Sequence, residues 1–91
     1  MIDIKKGEKS FYVGTNEKES LAKIELLHDG DDIIIQHTFV SEQLRGQNVA
    51  RQLLEAVVDL AREKNIKIIP ICSFAKAELN KNNDYKDVLQ K

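Results

Sequence analysis

The pattern of apolar and polar positions predicts strands in the first half of the chain. A short alternation at 2–4 and an aromatic stretch at 11–13 predict two short N-terminal strands. Residues 21–28 alternate and residues 33–40 are almost continuously apolar, while the Asp-Gly-Asp-Asp sequence at 29–32 is typical of a hairpin turn. We therefore expect an antiparallel pair whose second strand lies centrally in the sheet with both faces covered.

Helical periodicity follows a polar stretch that ends in glycine. The apolar positions recur at helical spacing, at Val49, Ala50, Leu53, Leu54, Val57, Leu60 and Ala61. Lys64 and Asn65 are typical of a helix end, because Asn tolerates the left-handed conformation there. The apolar run 66–72 then predicts a strand parallel to 33–40, with a crevice at the carboxyl ends of the two strands.

Two short helical segments are predicted after that strand. Ser73 is expected to cap a helix at 74–79, and Asp84 to cap a last turn at 85–89. The fold class is therefore α/β (α+β): a mixed sheet with antiparallel N-terminal strands, a parallel strand-helix-strand unit and short C-terminal helices. The 91 residues are expected to form one domain, 1–91, as a monomer or weak homodimer.

Composition narrows the function classes. The chain is 42% hydrophobic and 32% charged, which is typical of a soluble globular domain. With a net charge of -1 and no long basic run, nucleic acid is not expected as a partner. No stretch has the length of a signal peptide core or a membrane span, and the single Cys72 suits a reducing compartment, so we expect a cytoplasmic protein that binds no membrane.

The segment Gln43-Leu44-Arg45-Gly46-Gln47-Asn48-Val49-Ala50 has the features of an anion site. The first amides of a helix have no intrahelical partner and carry partial positive charge, and Gly46 allows close approach of the backbone to a phosphate. Arg45 and Arg51 can add charge toward a diphosphate or a 3′-phosphate. A glycine before a helix also serves as an ordinary helix start that needs no ligand, and that interpretation stays open.

In its context the segment resembles motif A of the GNAT acetyltransferases. That motif is Gln/Arg-x-x-Gly-x-Gly/Ala, and this chain has Gln-x-x-Gly-x-Asn-Val-Ala. Gln43 and Gly46 match the motif, whereas Asn48 stands where the motif has Gly or Ala. Asn tolerates unusual φ and can cap a helix. The segment Pro70-Ile71-Cys72-Ser73-Phe74 resembles the Pro-x-Cys-x-Phe of a small stand-alone GNAT-like family. Such proteins lack the helix pair that larger GNAT enzymes place after their first strand.

The resemblance implies acetyl-CoA as co-substrate, no metal, and transfer of acetyl to an amine acceptor, either a small molecule or a protein. It also implies a splayed cofactor cleft, which the missing N-H of Pro70 supports, although an ordinary strand end explains that proline too. The implied cofactor contacts are Phe39, Val40, Arg45, Gly46, Gln47, Asn48, Val49, Ala50, Arg51 and Ser73. The alternatives are a non-catalytic acetyl-CoA or CoA sensor, and an interaction module that binds no cofactor.

Two side chains are candidates for the chemistry. Cys72 precedes a predicted helix start, which favours the nucleophilic thiolate, but it can equally be a small buried hydrophobe. Alternation places His37 on a strand face with Ile33, Ile35 and Phe39, where a neutral imidazole can accept a proton from an amine. A structural role for His37 is the alternative. Tyr85, which resembles the proton-donating tyrosine of many GNAT enzymes, is expected to pack in the core.

Overall fold

A computed structural model describes residues 3–81 and 85–89 of the chain. Five strands form one mixed sheet in the order β1-β2-β3-β4-β5, with bounds Lys5–Lys6, Ser10–Gly14, Ser20–Asp29, Asp32–Val40 and Lys67–Pro70. The first four pair antiparallel and β5 pairs parallel with β4. Helix α1, Val49–Lys64, connects β4 to β5, and α2, Ser73–Lys81, follows β5. The predicted fold class is confirmed.

The hairpin and the long helix form where the sequence predicted them. Asp29 pairs with Asp32 across the β3–β4 turn, and Gly30 takes a left-handed φ of 61° there. Asn65 ends α1 in the left-handed conformation, with its N-H donating to carbonyls of the last turn. The apolar stripe of α1 packs on the sheet, so burial and not helix propensity holds this helix in place.

One core joins α1, α2 and one face of the sheet. Its fully buried members include Ile24, Ile33, Ile35, Leu53, Leu54, Val57, Ile68 and Leu79. On the other face of the sheet, Leu21, Leu27 and Phe39 remain exposed. The prediction that β4 is covered on both faces is therefore wrong, because α2 packs into the same core as α1.

A β-bulge changes which side chains of β4 face the core. Glu25 pairs with His37, but the next residue of β3, Leu26, pairs with Ile35, so Gln36 is an extra residue in β4. Beyond the bulge, Thr38 lies opposite the buried Ile24. His37 consequently lies on the exposed face, away from Ile33 and Ile35. The expectation that these three residues share a face is wrong, since simple alternation cannot detect an inserted residue.

The C-terminal elements differ from the expected pair of helices. Helix α2 extends to Lys81, and Ser73 is its first helical residue, so Ser73 is not its cap. The described residues 85–89 form a single turn, after which Leu89 makes a parallel bridge to Ile68. Tyr85 is buried in the core as expected. The predicted cap Asp84 lies outside the described residues.

Within the described part of the chain, no helix is long and apolar enough to cross a membrane.

Candidate active site

The connection from β4 to α1 is an irregular turn built on two left-handed residues. A single 3-10 turn at Glu42–Leu44 is followed by Gly46 at φ 86° and Asn48 at φ 59°. Glycine adopts such a φ at no steric cost, and Asn tolerates it better than most residues. A Cβ on Gly46 would meet nothing within 4 Å, so the backbone angle and not crowding within the protein favours glycine here.

The first backbone donors of α1 have no acceptor among the residues that the structure describes. The first helical hydrogen bond runs from Gln52 N to Asn48 O at 3.0 Å, so the amides of 49–51 precede it. Asn48 makes no side-chain cap, and the first turn contains no acidic residue. Capping by Asn48 was an expectation that the structure contradicts, because the left-handed backbone at Asn48 differs from the extended backbone of an ordinary N-cap. No carboxylate within the first turn of α1 therefore neutralises the partial positive charge at this helix start.

The residues that carry these donors line a cavity of about 470 Å³ between the start of α1 and one face of α2. The lining residues are Val40, Leu44, Arg45, Gly46, Asn48, Val49, Ala50, Arg51, Phe74, Glu78 and Lys81. Three cations outnumber the single carboxylate of Glu78 in this lining. Arg51 also contacts Glu55 at 3.6 Å, but both side chains are about half exposed, so this ion pair is weak. The cavity therefore favours an anionic ligand.

Most of the predicted cofactor residues come together in that lining, but three do not. Phe39 is exposed on the open sheet face. Gln47 lies outside the lining, with its side chain donating to Gln43 O at 3.4 Å. Ser73 is exposed at the start of α2. Sequence reasoning missed Leu44, Phe74, Glu78 and Lys81. The last three are spaced four and three residues apart, a helical pattern that a longer predicted α2 would have revealed.

Strands β4 and β5 separate at Pro70. Pro70 is the last residue of β5 that pairs, opposite Ile35, and the amides of Ile71 and Cys72 both donate to Ile35 O, at 3.0 and 3.1 Å. β4 continues through residues 36–40 with no strand beside it on that edge within the described chain. The predicted separation is confirmed. It leaves backbone groups of β4 available along the side that faces Cys72.

Cys72 occupies the N-cap position of α2, since Lys76 N donates to Cys72 O at 2.9 Å. Its thiol contacts Thr38, with Sγ and Oγ1 3.5 Å apart. Partial burial raises the pKa of the Cys72 thiol, but hydrogen bonds from the amide of Ala75, from Thr38 and from the amide of Phe74 outweigh burial and lower the pKa overall. The sulfur thus has the environment of a stabilised thiolate at a helix start.

The bulge at Gln36 determines which residue meets Cys72. Thr38 reaches the thiol, while His37, the other predicted catalytic residue, points to the exposed face. The structure therefore does not bring the two candidates into contact. Among the described residues, no group of three or more His, Cys, Asp or Glu is arranged to hold a metal ion.

The chain belongs to the GCN5-related N-acetyltransferase family, whose family model matches residues 10–88. Its structure is similar to the NMR solution structure of a GCN5-like protein from Staphylococcus aureus, with 49% identity, a TM-score of 0.82 and coverage of 98% of this chain and 88% of that one. A comparison with curated proteins gave no significant match.

Two larger structures share the fold. A GNAT-family acetyltransferase from S. aureus Mu50 is 19% identical, with a TM-score of 0.57 over 79% of this chain and 47% of that chain. The ribosomal-protein-S18-alanine N-acetyltransferase of Escherichia coli is 20% identical, with a TM-score of 0.61 over 84% of this chain and 52% of that chain. This chain therefore spans about half the length of these two proteins, and the likeness shows the fold alone.

Proposed function

We propose that this protein transfers an acetyl group from acetyl-CoA to an amine. The observation that carries the proposal is the start of α1: free amides, left-handed Gly46 and Asn48, and Arg45 lie at one cavity whose cations outnumber its carboxylates. A diphosphate fits this arrangement because its charge complements the helix dipole and its oxygens accept backbone hydrogen bonds. Family membership supports acetyl-CoA as the molecule that supplies it.

The separation of β4 and β5 supports the placement of the pantetheine arm. Backbone groups of residues 36–40 on the free edge of β4 can pair with the amides of the arm, as a strand would. The arm would then direct the thioester toward Thr38 and Cys72, at the end of β5. In this arrangement the protein contributes chiefly by orienting the two reactants.

The transfer itself requires a proton acceptor. The amine nitrogen forms a bond to the acetyl carbon, the carbon–sulfur bond breaks, and the pair of electrons leaves on the CoA sulfur. We propose that the Cys72 thiolate receives the proton of the amine, because the helix start and the hydrogen bonds from Ala75, Thr38 and Phe74 favour the ionised form of the sulfur. His37, exposed on the opposite sheet face next to Thr38, is proposed to contact the incoming acceptor.

The free thiol of Cys72 also supports the cytoplasm as the compartment.

A non-catalytic acetyl-CoA sensor is the second candidate. One observation favours it: Leu21 and Phe39 are exposed, so one face of the sheet is uncovered within the described chain. A sensor needs the cofactor cavity but no acceptor site.

Calorimetric titration with acetyl-CoA and CoA, followed by a thiol-release assay with a panel of amines, separates these functions. An acetyltransferase binds acetyl-CoA and releases CoA only when an amine is present. A sensor binds with no release, and an interaction module binds neither ligand. Mass spectrometry after incubation with acetyl-CoA alone tests the role of Cys72. Direct transfer predicts an unmodified chain, whereas an acetyl adduct that disappears in Cys72→Ala would show a covalent step at the thiol.

A further inference from the structure

Helix α2 forms one wall of the cavity over most of the length of the helix. Phe74, Glu78 and Lys81 line it from one face of the helix. Seven residues separate the first from the last, which is about 10 Å along a helix axis. Phe74 lies beside Cys72 at the point where the strands separate, so Lys81 lies at the opposite end of this wall.

The lining of the cavity contains two cations besides Arg45. Arg51, one turn into α1, and Lys81, in the last turn of α2, line the same cavity from different helices. The contact of Arg51 with Glu55 is exposed and weak, so a phosphate can replace it. Arg45 and the free amides of α1 are already sufficient for a diphosphate, which leaves Arg51 and Lys81 as cations for a second anionic group.

We propose that Arg51 and Lys81 form a subsite for the 3′-phosphate of CoA, so that the protein discriminates CoA from dephospho-CoA. This inference rests on the proposed function, because it assigns the second anionic group of the same ligand. A monoester phosphate is a compact dianion, and two cations from two helices match its charge and its several acceptor oxygens. Glu78 lies in the same wall and opposes that charge.

The test is calorimetric titration of the full chain with CoA and with dephospho-CoA at low ionic strength. Wild type is expected to bind CoA about tenfold more tightly, the scale of a charge-assisted phosphate contact. Lys81→Gln is expected to reduce that preference to about threefold or less without changing the affinity for dephospho-CoA. Arg51→Gln should act in the same direction. Lys76→Gln is the matched control, because Lys76 is an exposed lysine of α2 outside the cavity lining.

Glu78→Gln provides the opposite change at the same wall. Removal of its negative charge should strengthen binding of CoA by about two- to threefold, more than it strengthens binding of dephospho-CoA. A lower CoA preference in this variant would contradict the subsite.

The outcomes also separate the subsite from the proposed function. Equal binding of both ligands by wild type would overturn the subsite and leave the proposed function standing. A parallel loss of both ligands in Lys81→Gln, or an equal effect of Lys76→Gln, would likewise overturn it. Failure of wild type to bind either ligand would overturn the proposed function, and the subsite with it.

Discussion

Two turns of this molecule, β1–β2 and β4–α1, each present several backbone N-H groups. They differ in whether a carboxylate of the protein accepts hydrogen bonds from those groups. Between β1 and β2, the carboxylate of Glu17 accepts from Ser10 Oγ at 2.5 Å, from Lys9 N at 3.0 Å and from Glu8 N at 3.4 Å. Between β4 and α1, the amides before Gln52 have no side-chain cap, and the first turn of α1 contains no acidic residue. The first turn is complete without a ligand, whereas the second has the donors that a phosphate requires.

The difference also appears in the glycines. Gly7 packs against the Glu17 carboxylate so closely that a Cβ there would lie 2.5 Å from Oε2. Gly46 has open space outside it at a left-handed φ. Glycine at the first turn makes room for a side chain of the protein. At the β4–α1 turn, Gly46 provides the left-handed backbone angle and leaves the N-H groups of α1 accessible from the cavity.

The largest effect is expected from giving the second turn an anion of its own. Ala50→Glu places a carboxylate in the first turn of α1, on the cavity lining. The new charge should raise stability by about 0.3–1 kcal/mol through the helix dipole. It should also weaken acetyl-CoA binding by about 100-fold through repulsion of the diphosphate. Thermal unfolding and calorimetry measure the two changes, and unchanged affinity would show that the diphosphate binds elsewhere.

A smaller effect is expected at the thiol, where neutral donors and not a charge stabilise the sulfur. Because the pKa of Cys72 is lowered, its rate of alkylation by iodoacetamide should rise with a midpoint below the usual value of an exposed thiol. Thr38→Val removes one hydrogen bond to the sulfur and should move the midpoint upward. Thr15→Val, in an exposed loop, is the control. A midpoint at or above the usual value in wild type would contradict the thiolate environment.

The smallest effect is expected at the Glu17 turn, and it should depend on pH. Hydrogen bonds from Ser10, Lys9 and Glu8 hold the pKa of Glu17 below its usual value despite some opposing desolvation. A lowered folded-state pKa adds stability that is present above the ordinary carboxyl pKa and is lost as the pH falls through the folded value. Glu17→Gln should therefore lower Tm at pH 7 and have no effect at strongly acidic pH.

Gly7→Ala sharpens the same prediction. The new methyl group would displace the Glu17 carboxylate, so the effects of Gly7→Ala and Glu17→Gln on Tm should not add. Additive effects would show that the two residues act independently, and that Glu17 does not hold this turn. Neither variant should change acetyl-CoA affinity, since both residues lie outside the cavity lining.

Sequence reasoning predicted the fold, and it placed the proposed anion site in a loop that lines the cavity, because both predictions use local signals. The helical period of α1, the Asp-Gly turn, the loss of a donor at Pro70 and the glycine before a helix are each visible within a few residues. The bulge at Gln36 is not visible in the local sequence, because it depends on the register between β3 and β4. The bulge turns His37 to the exposed face and brings Thr38 to Cys72, so simple alternation predicted the wrong face for His37.

The wall of α2 was missed for a related reason. Ser73 is a good capping residue and was expected to stop outside the helix, but the helix begins at Ser73 and continues to Lys81. Packing of Ala75 and Leu79 into the core of α1 and the sheet extends the helix beyond its local signals. Residues of the cavity that come from tertiary packing therefore could not be predicted from spacing in the sequence alone.

The central claim is that the turn before α1 binds the diphosphate of acetyl-CoA, and a pair of glycine variants tests it most directly. Gly46 and Gly30 both have left-handed φ values and open space outside them, but only Gly46 lines the cavity. Gly46→Glu and Gly30→Glu should lower Tm by similar amounts. Calorimetric titration with acetyl-CoA should show binding retained in Gly30→Glu and strongly weakened in Gly46→Glu, whereas equal affinities in the two folded variants would contradict the claim.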